Sequence, residues 1–255
     1  VKAYYGKPAS RAYWVGCSLG GLEGLIEARR FPDDYDGIVA GAPPNPLVKF
    51  NAAQLWPGWL LGRNRDLNMT KAKFEMISQA ALKACASPIG LKQGFIDDPQ
   101  HCDFEPEQLL CKEAETADCL TAGQVELMKQ LYRGPINPRT QEVIFPGVAK
   151  GNERLLGDFV DGKAFPVALD LFKYAAFQDP DWDWTTLDWD KTVNEAVSKL
   201  GPLLHVGSDL APFFDRGAKL LLYVGWNDFH NGQELIDYYQ SLLRDSGPAA
   251  QASAR

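Results

Sequence analysis

The sequence predicts an α/β protein, a mostly parallel sheet joined to a long helical and loop-rich stretch, and three observations predict it. The β-prone run Ala12-Tyr13-Trp14-Val15 feeds a glycine-flanked turn, Gly16-Cys17-Ser18-Leu19-Gly20-Gly21, and a helical pattern follows at once. A second apolar run, Gly37 to Ala42, is closed by Pro43-Pro44. A third, Lys219 to Trp226, has the length and composition of a buried strand.

Taken in order, Lys2 to Gly6 reads as the end of a helix, and the first strand then enters the turn. Gly16-Cys17-Ser18-Leu19-Gly20 has the form G-x-S-x-G, a strand-to-helix bend that lifts a serine out of the sheet. Glycines are expected where a Cβ would collide with the neighbouring strand or helix. Ser18 is the candidate nucleophile, aimed at the helix N-terminus, where unpaired backbone N–H groups can meet a developing oxyanion. The N–H of Leu19 is the first candidate donor. The helix from Gly20 to Arg30 carries Leu22, Leu25, Ile26 and Arg29 at helical spacing and stops before Pro32. Strand, bend, helix and strand form a βαβ unit with an expected right-handed crossover, the arrangement of an α/β-hydrolase sheet. A phosphate-binding loop is the competing reading, but no Lys-Ser or Lys-Thr pair follows and no acidic ribose partner is evident.

From about Asn45 to Ser208 the chain reads as helices and loops without a repeat. Thr70 to Cys85 is an expected helix with Thr70 as N-cap and Met76, Ile77, Ala80 and Ala81 among its apolar residues. Thr121 to Tyr132 is another, capped by Thr121, with Val125, Met128, Leu131 and Tyr132 on one face. The aromatic and acidic tract from Asp179 to Asp190 suits anchoring of this stretch to the sheet better than a phenolic pocket. Leu220 to Val224 is expected to be a fully apolar strand, and Gly225-Trp226-Asn227-Asp228 the loop at its carboxyl end, where open α/β sheets place their sites. An acid there, Asp228, can orient a histidine and stabilise its charged form. The final stretch, Gly247 to Arg255, reads as a loop leading towards another strand.

Composition excludes several classes. The 33 acidic and 26 basic residues give a formal charge of -7, which disfavours nucleic acid and anionic membranes as partners. No apolar run has transmembrane length, and no signal peptide is visible. The chain opens on Val1, and few residues precede the serine turn, so it reads as a fragment.

Cys85, Cys102, Cys111 and Cys119 cluster without CxxC spacing or a paired histidine motif, which suits two local disulfides better than zinc. Four cysteines allow three pairings, and spacing leaves them open. Such bridges imply an oxidising compartment, hence a secreted or periplasmic protein. His101 beside Cys102 lacks a second ligand pair, and no metal is expected. Cys17 is the odd cysteine, either a buried structural thiol or half of a bridge to a partner elsewhere.

Several ordered motifs carry a family resemblance: Tyr4-Tyr5-Gly6-Lys7-Pro8, YWVGCSLGG from Tyr13 to Gly21, EARRFPDDYDGIVAGAPP from Glu27 to Pro44, IDDPQHCDFEPEQLLC from Ile96 to Cys111 followed by Cys119-Leu120-Thr121, and KLLLYVGWND from Lys219 to Asp228. Together they resemble the tannase/feruloyl esterase family. The resemblance implies a partial α/β-hydrolase core built from residues 1–44 and 209–255 around a lid domain, 45–208. It places the catalytic serine on Ser18 and the catalytic aspartate on Asp228. It also implies that the catalytic histidine lies in a His-Cys pair outside these residues, whose cysteine is bridged to Cys17, and that a second oxyanion donor comes from the preceding half.

The implied activity is hydrolysis of aromatic esters, feruloyl or galloyl, through a serine acyl-enzyme. The substrate would be a small aromatic ester, in some cases attached to plant polysaccharide, and no cofactor is implied. The fragment alone is expected to be inactive. The alternative is a non-catalytic binding protein on a hydrolase-derived fold. His230, two residues past Asp228, sits in too tight a loop to serve both Asp228 and Ser18, and His205 reads as structural or substrate-facing.

The chain departs from the family in three places. Relatives often hold calcium in a lid loop, but Ala86, Ile89 and Gln93 stand where its aspartates would be, so the site is expected to be lost. Phe229-His230-Asn231-Gly232-Gln233 replaces a proline-containing stretch, and Leu22 replaces an arginine that often follows the turn glycines.

Overall fold

The computed structural model describes residues 1–255. In chain order the elements are α1 (Lys2–Tyr5), β1 (Tyr13–Cys17), α2 (Leu19–Arg30), β2 (Gly37–Gly41) and α3 (Leu47–Arg63). They continue with α4 (Lys71–Cys85), α5 (Pro88–Gln93), α6 (Ala122–Arg133), α7 (Pro166–Asp170) and α8 (Lys191–Leu204). The last are α9 (Ala211–Asp215), β3 (Lys219–Tyr223), α10 (Gln233–Asp245) and α11 (Gly247–Ser253). The chain divides into two compact units. The first comprises Val1–Pro46, Leu204–Gly225 and Gln233–Arg255; the second comprises Leu47–Leu203 with Trp226–Gly232. The acid-bearing loop, Trp226–Gly232, therefore groups with the helical unit, while the core that the resemblance implies includes it.

In the sheet unit, β2 is central and pairs in parallel with both β1 and β3. Parallel neighbours need a crossover, and α2 supplies it between β1 and β2. Its buried stripe is Gly21, Leu22, Gly24, Leu25 and Ala28, while Arg29 is exposed and donates to Asp209 O at 2.9 Å. Ile38, Ala40 and Leu220 are buried in this unit. On alternate positions Tyr13, Val15, Leu221 and Tyr223 are exposed, so β3 alternates rather than being buried throughout. The expected helix end at the start is α1, closed by Gly6 in the left-handed conformation.

The final stretch differs from the loop read in the sequence. Gly247–Ser253 is the helix α11, with Pro248 in its first turn, where its missing N–H costs nothing. Beyond it Arg255 enters the sheet beside β3: Leu222 N donates to Arg255 O at 2.7 Å and Arg255 N to Leu220 O at 2.9 Å.

The helical unit has its own core, with Leu55, Phe74, Ile77, Leu127, Met128 and Phe172 buried. Thr70 Oγ1 accepts from Lys73 N at the start of α4. Thr121 and Gln124 form a full capping box on α6. One residue defies the expected pattern: Lys73 is buried on α4, and its ammonium donates to Thr116 O, Cys119 O and Gln124 Oε1 and lies 2.7 Å from Glu115 Oε1. A buried ammonium is tolerated because each of its hydrogens has an acceptor.

Both disulfides of the cluster form, Cys85–Cys102 and Cys111–Cys119. They close loops of 17 and 8 residues, so chain-entropy loss in the unfolded state gives each about 2.5–3 kcal/mol. Replacing Cys85 and Cys102 together by alanine is expected to lower the unfolding free energy by about 3 kcal/mol in urea titration. A loss below about 1 kcal/mol would contradict this.

The aromatic tract packs inside the helical unit. Trp182 meets Phe172 at 5.6 Å and Phe177 at 5.1 Å, and Trp189 meets Trp56 and Trp59 edge-on at 5.0 and 5.5 Å. Its acids serve local structure: Asp183 caps the turn Trp184–Thr186, and Asp190 accepts from Asn137, Arg139 and Asn194. The tract is thus part of the packing of the helical unit itself.

Candidate active site

Ser18 stands at the hinge between β1 and α2 with φ 58° and ψ -125°. A residue with a Cβ enters that region only under strain, about 1–3 kcal/mol, and such strain concentrates at functional sites. The turn is held because Ser18 N donates to Gly41 O at 2.9 Å and Ser18 O accepts from Gly21 N and Leu22 N. The first-turn N–H groups of Leu19 and Gly20 precede any intrahelical acceptor, and Ser18 and Leu19 are both exposed. An exposed hydroxyl on a strained bend, next to free first-turn donors, is a geometry suited to attack on a carbonyl and capture of the resulting oxyanion.

The glycines of the turn are not equivalent. A Cβ on Gly16 would lie 2.2 Å from Gly20 O, and one on Gly21 would lie 2.5 Å from Gly41 O. At Gly20 a Cβ would meet nothing within 4 Å. Steric need therefore falls on the first glycine and on Gly21, and not on the last residue of the G-x-S-x-G string. Gly20 instead contributes its carbonyl, which accepts from Trp14 Nε1 at 2.8 Å.

Cys17 is a free, exposed thiol rather than a buried one. It is level with Gly41, which is level with Tyr223, and the thiol beside the Tyr223 hydroxyl raises that phenol's pKa.

Asp228 lies in the helical unit, five residues past the end of β3. The side-chain hydrogen bond from His230 is the main cause holding its carboxyl below the usual range, against desolvation that pushes it up. His230 Nδ1 is 3.4 Å from Asp228 Oδ1, and the His230 backbone N donates to the same oxygen at 3.1 Å. His230 thus reaches Asp228, one of the two groups that the sequence expects it not to serve at once. Its other ring nitrogen is 2.8 Å from Gln54 Nε2, and its ring lies tilted at 33° against Phe50 with centroids 3.8 Å apart. The next aromatic, Phe229, packs against Phe165 and Phe159 at 5.9 and 5.6 Å. His101 is elsewhere in the same unit, exposed and paired with Asp98.

Residues that sequence reasoning passed over hold this loop from behind. Asn152, 2% exposed, donates its side-chain amide to Trp226 O at 2.7 Å and Asp228 O at 3.0 Å. Next to it Glu153 is fully buried; it accepts from Gly151 N at 3.0 and 3.1 Å and from Tyr132 O–H at 2.6 Å. Desolvation is the main cause raising the Glu153 pKa, and the Tyr132 hydrogen bond is the largest opposing one. The only sequence signal was the polar pair Asn152-Glu153 after Gly151, in a loop without periodicity.

In the loop from Cys85 to Asp97 no carboxylate stands at positions 86, 89 or 93. Ala86 caps the end of α4, Ile89 and Gln93 lie in α5, and the remaining acid, Asp97, is engaged by Ser87 N at 3.1 Å. A hard cation needs six to eight oxygens, and these positions supply none of the carboxylates that would provide them.

The family model for tannase and feruloyl esterase matches residues 1–253. Feruloyl esterase C of Talaromyces stipitatus is 31% identical over 258 residues, covering 98% of this chain and 48% of its own length. The crystal structure of feruloyl esterase B from Aspergillus oryzae superposes with a TM-score of 0.83 at 26% identity, over 94% of this chain and 49% of that one. Tannin acyl hydrolase from Aspergillus niger shares the fold at 18% identity, with a TM-score of 0.76 over all of this chain and 52% of that one. The chain spans about half the length of the relatives it matches. A match that runs through the strained serine turn, both disulfides and the acid loop covers the whole architecture, and the chain belongs to the tannase and feruloyl esterase family.

Proposed function

We propose that the full-length protein carrying this chain is a serine carboxylesterase acting on aromatic esters. The observation that carries the reading is Ser18, exposed and strained at the strand-to-helix bend with first-turn N–H groups beside it. Its Oγ attacks the ester carbonyl, a histidine takes the Oγ proton, and the carbonyl oxygen becomes an oxyanion that accepts from Leu19 N–H. Collapse expels the alcohol, which receives that proton, and leaves an acyl-serine. Water then adds with the same histidine as base, releasing the aromatic acid and restoring Ser18. Asp228 orients the histidine and stabilises its charged form.

The base is proposed to come from outside these residues, as the family resemblance implies: the ring nitrogen of His230 that faces away from Asp228 is taken by Gln54 at 2.8 Å, His101 pairs with Asp98, and Asp228 would exchange His230 for the catalytic histidine. By itself the 255-residue chain should then show negligible turnover. Cys17 is proposed to be bridged next to that histidine. The helical unit is proposed as the lid, and feruloyl esters are favoured over galloyl ones, free or attached to plant polysaccharide. Two formed disulfides support export to an oxidising compartment. No helix is long and apolar enough to cross a membrane.

Release of ferulate from methyl ferulate by the full-length protein, compared with gallate from methyl gallate, tests the reading. Binding of both esters without hydrolysis of either would favour the binding-protein alternative. We also propose that the loop from Cys85 to Asp97 takes no calcium, because its acids are replaced. Calorimetric titration of the protein with calcium is expected to show no tight site there, and stoichiometric binding lost on Asp97→Asn would overturn this.

A further inference from the structure

The far side of the acid loop is held by Gln54 on His230, which itself faces the Asp228 carboxylate at 3.4 Å, and by Asn231 on Gly147 O at 2.9 Å. The backbone on either side of Asn227 is held by one buried amide, which nothing in the chemistry proposed above uses. Asn152 gives its two amide hydrogens to the carbonyls of Trp226 and Asp228, positions i and i+2 of the loop. A single planar donor that satisfies both carbonyls sets the path of the peptide between them, and the Asp228 side chain departs from that path. Few other groups could do this, since an aspartate of the same shape offers no donor and an alanine leaves both carbonyls without one.

The backbone that carries this side chain is itself held. Asn152 N donates to Ala149 O at 3.0 Å, and its O accepts from Leu155 N at 3.0 Å. The preceding residue, Gly151, is gripped on both sides of its peptide: its N–H by the Glu153 carboxylate and its carbonyl by Ser78 Oγ at 2.9 Å. Glu153 is in turn held by the Tyr132 hydroxyl from α6. Burying a carboxylate is costly, so a fully buried glutamate with three hydrogen bonds is an expensive way to hold a loop that carries no other load.

We infer that Asn152 is a positioning residue for Asp228, mounted on α4 and α6 through Ser78, Glu153 and Tyr132. The inference rests on the role proposed for Asp228. Its chemical content is narrow: the amide fixes where the carboxylate meets the catalytic histidine, and so how far that carboxylate stabilises the imidazolium.

The test is steady-state hydrolysis of methyl ferulate by the full-length protein carrying Asn152→Ala, Asn152→Asp or Glu153→Gln, with folded fraction measured by circular dichroism. For both Asn152 variants kcat per folded enzyme is expected to fall about 10²-fold with KM within about twofold, as for a catalytic group misplaced by about 1 Å. The acidic limb of kcat/KM should move to lower pH, because a histidine that loses its carboxylate loses stabilisation of the charged form. Glu153→Gln keeps the shape and acts one step further back; it should give a smaller fall and the same direction of pH movement, and it serves if the Asn152 variants fail to fold. Wild-type kcat per folded enzyme with an unmoved acidic limb would overturn the inference. So would a loss of activity that only follows the folded fraction. Failure of the underlying reading has a different signature, in which Ser18→Ala or Asp228→Ala retains wild-type hydrolysis.

Discussion

Ser18→Ala in the full-length protein is expected to lower kcat for methyl ferulate by about 10⁴-fold or more while leaving the melting temperature unchanged or raised. The size follows from the role: removal of a nucleophile that acts as a unit with its base eliminates nearly all of the acceleration those groups supply together. The direction of the stability change follows from position. Ser18 is exposed and its side chain makes no cap hydrogen bond to α2, so the hydroxyl contributes little to folding. Alanine inherits the positive φ of 58° and with it the same backbone strain. Stopped or continuous assays of ferulate release read the activity, and thermal melts read the stability. Hydrolysis persisting at more than a few per cent of wild type would move the nucleophile elsewhere.

The second large effect is on folding, and it separates two glycines that look alike in the motif. Gly16→Ala places a methyl 2.2 Å from Gly20 O and 2.4 Å from Gly20 C, both backbone atoms of the first turn of α2. Neither can rotate away, so α2 must move off β1, breaking the fit that also buries Leu22 and Leu25. Overpacking of this kind costs about 3 kcal/mol or more. Gly20→Ala meets nothing within 4 Å and exchanges a poor helix former for the best one, so it should stabilise by up to about 1 kcal/mol. Denaturant titration of both variants should give opposite signs. Equal destabilisation would show that the close approach at Gly16 is not what shapes the bend.

Much of this was legible in the residues. The apolar runs around Trp14, Ile38 and Leu220 became the three parallel strands, and the capping signals at Thr70 and Thr121 marked the starts of α4 and α6. These features are local: alternation, helical spacing and a side-chain oxygen within reach of the next turn's N–H are properties of a few consecutive residues. The steric freedom at Gly20 is not local in this sense, because the motif repeats a spacing and says nothing about which neighbour a Cβ would meet. The end of the chain has the composition of a loop, yet Ala249, Ala250 and Ala252 favour a helix once Pro248 has started it.

By itself, then, the sequence determined the class of fold, the serine on its bend, the acid after the third strand and the presence of two bridges among four cysteines. Only the tertiary structure decided which cysteines pair, which glycines are sterically required, that His230 reaches the Asp228 carboxylate, and that Asn152 ties the acid loop to a buried glutamate. The physical reason is range. Each of the first set follows from hydrogen bonds or burial within a few residues of chain. Most of the second depends on groups far apart in sequence, such as Asn152 and Asp228, Gln54 and His230 or Tyr132 and Glu153, that meet only after the helical unit has packed.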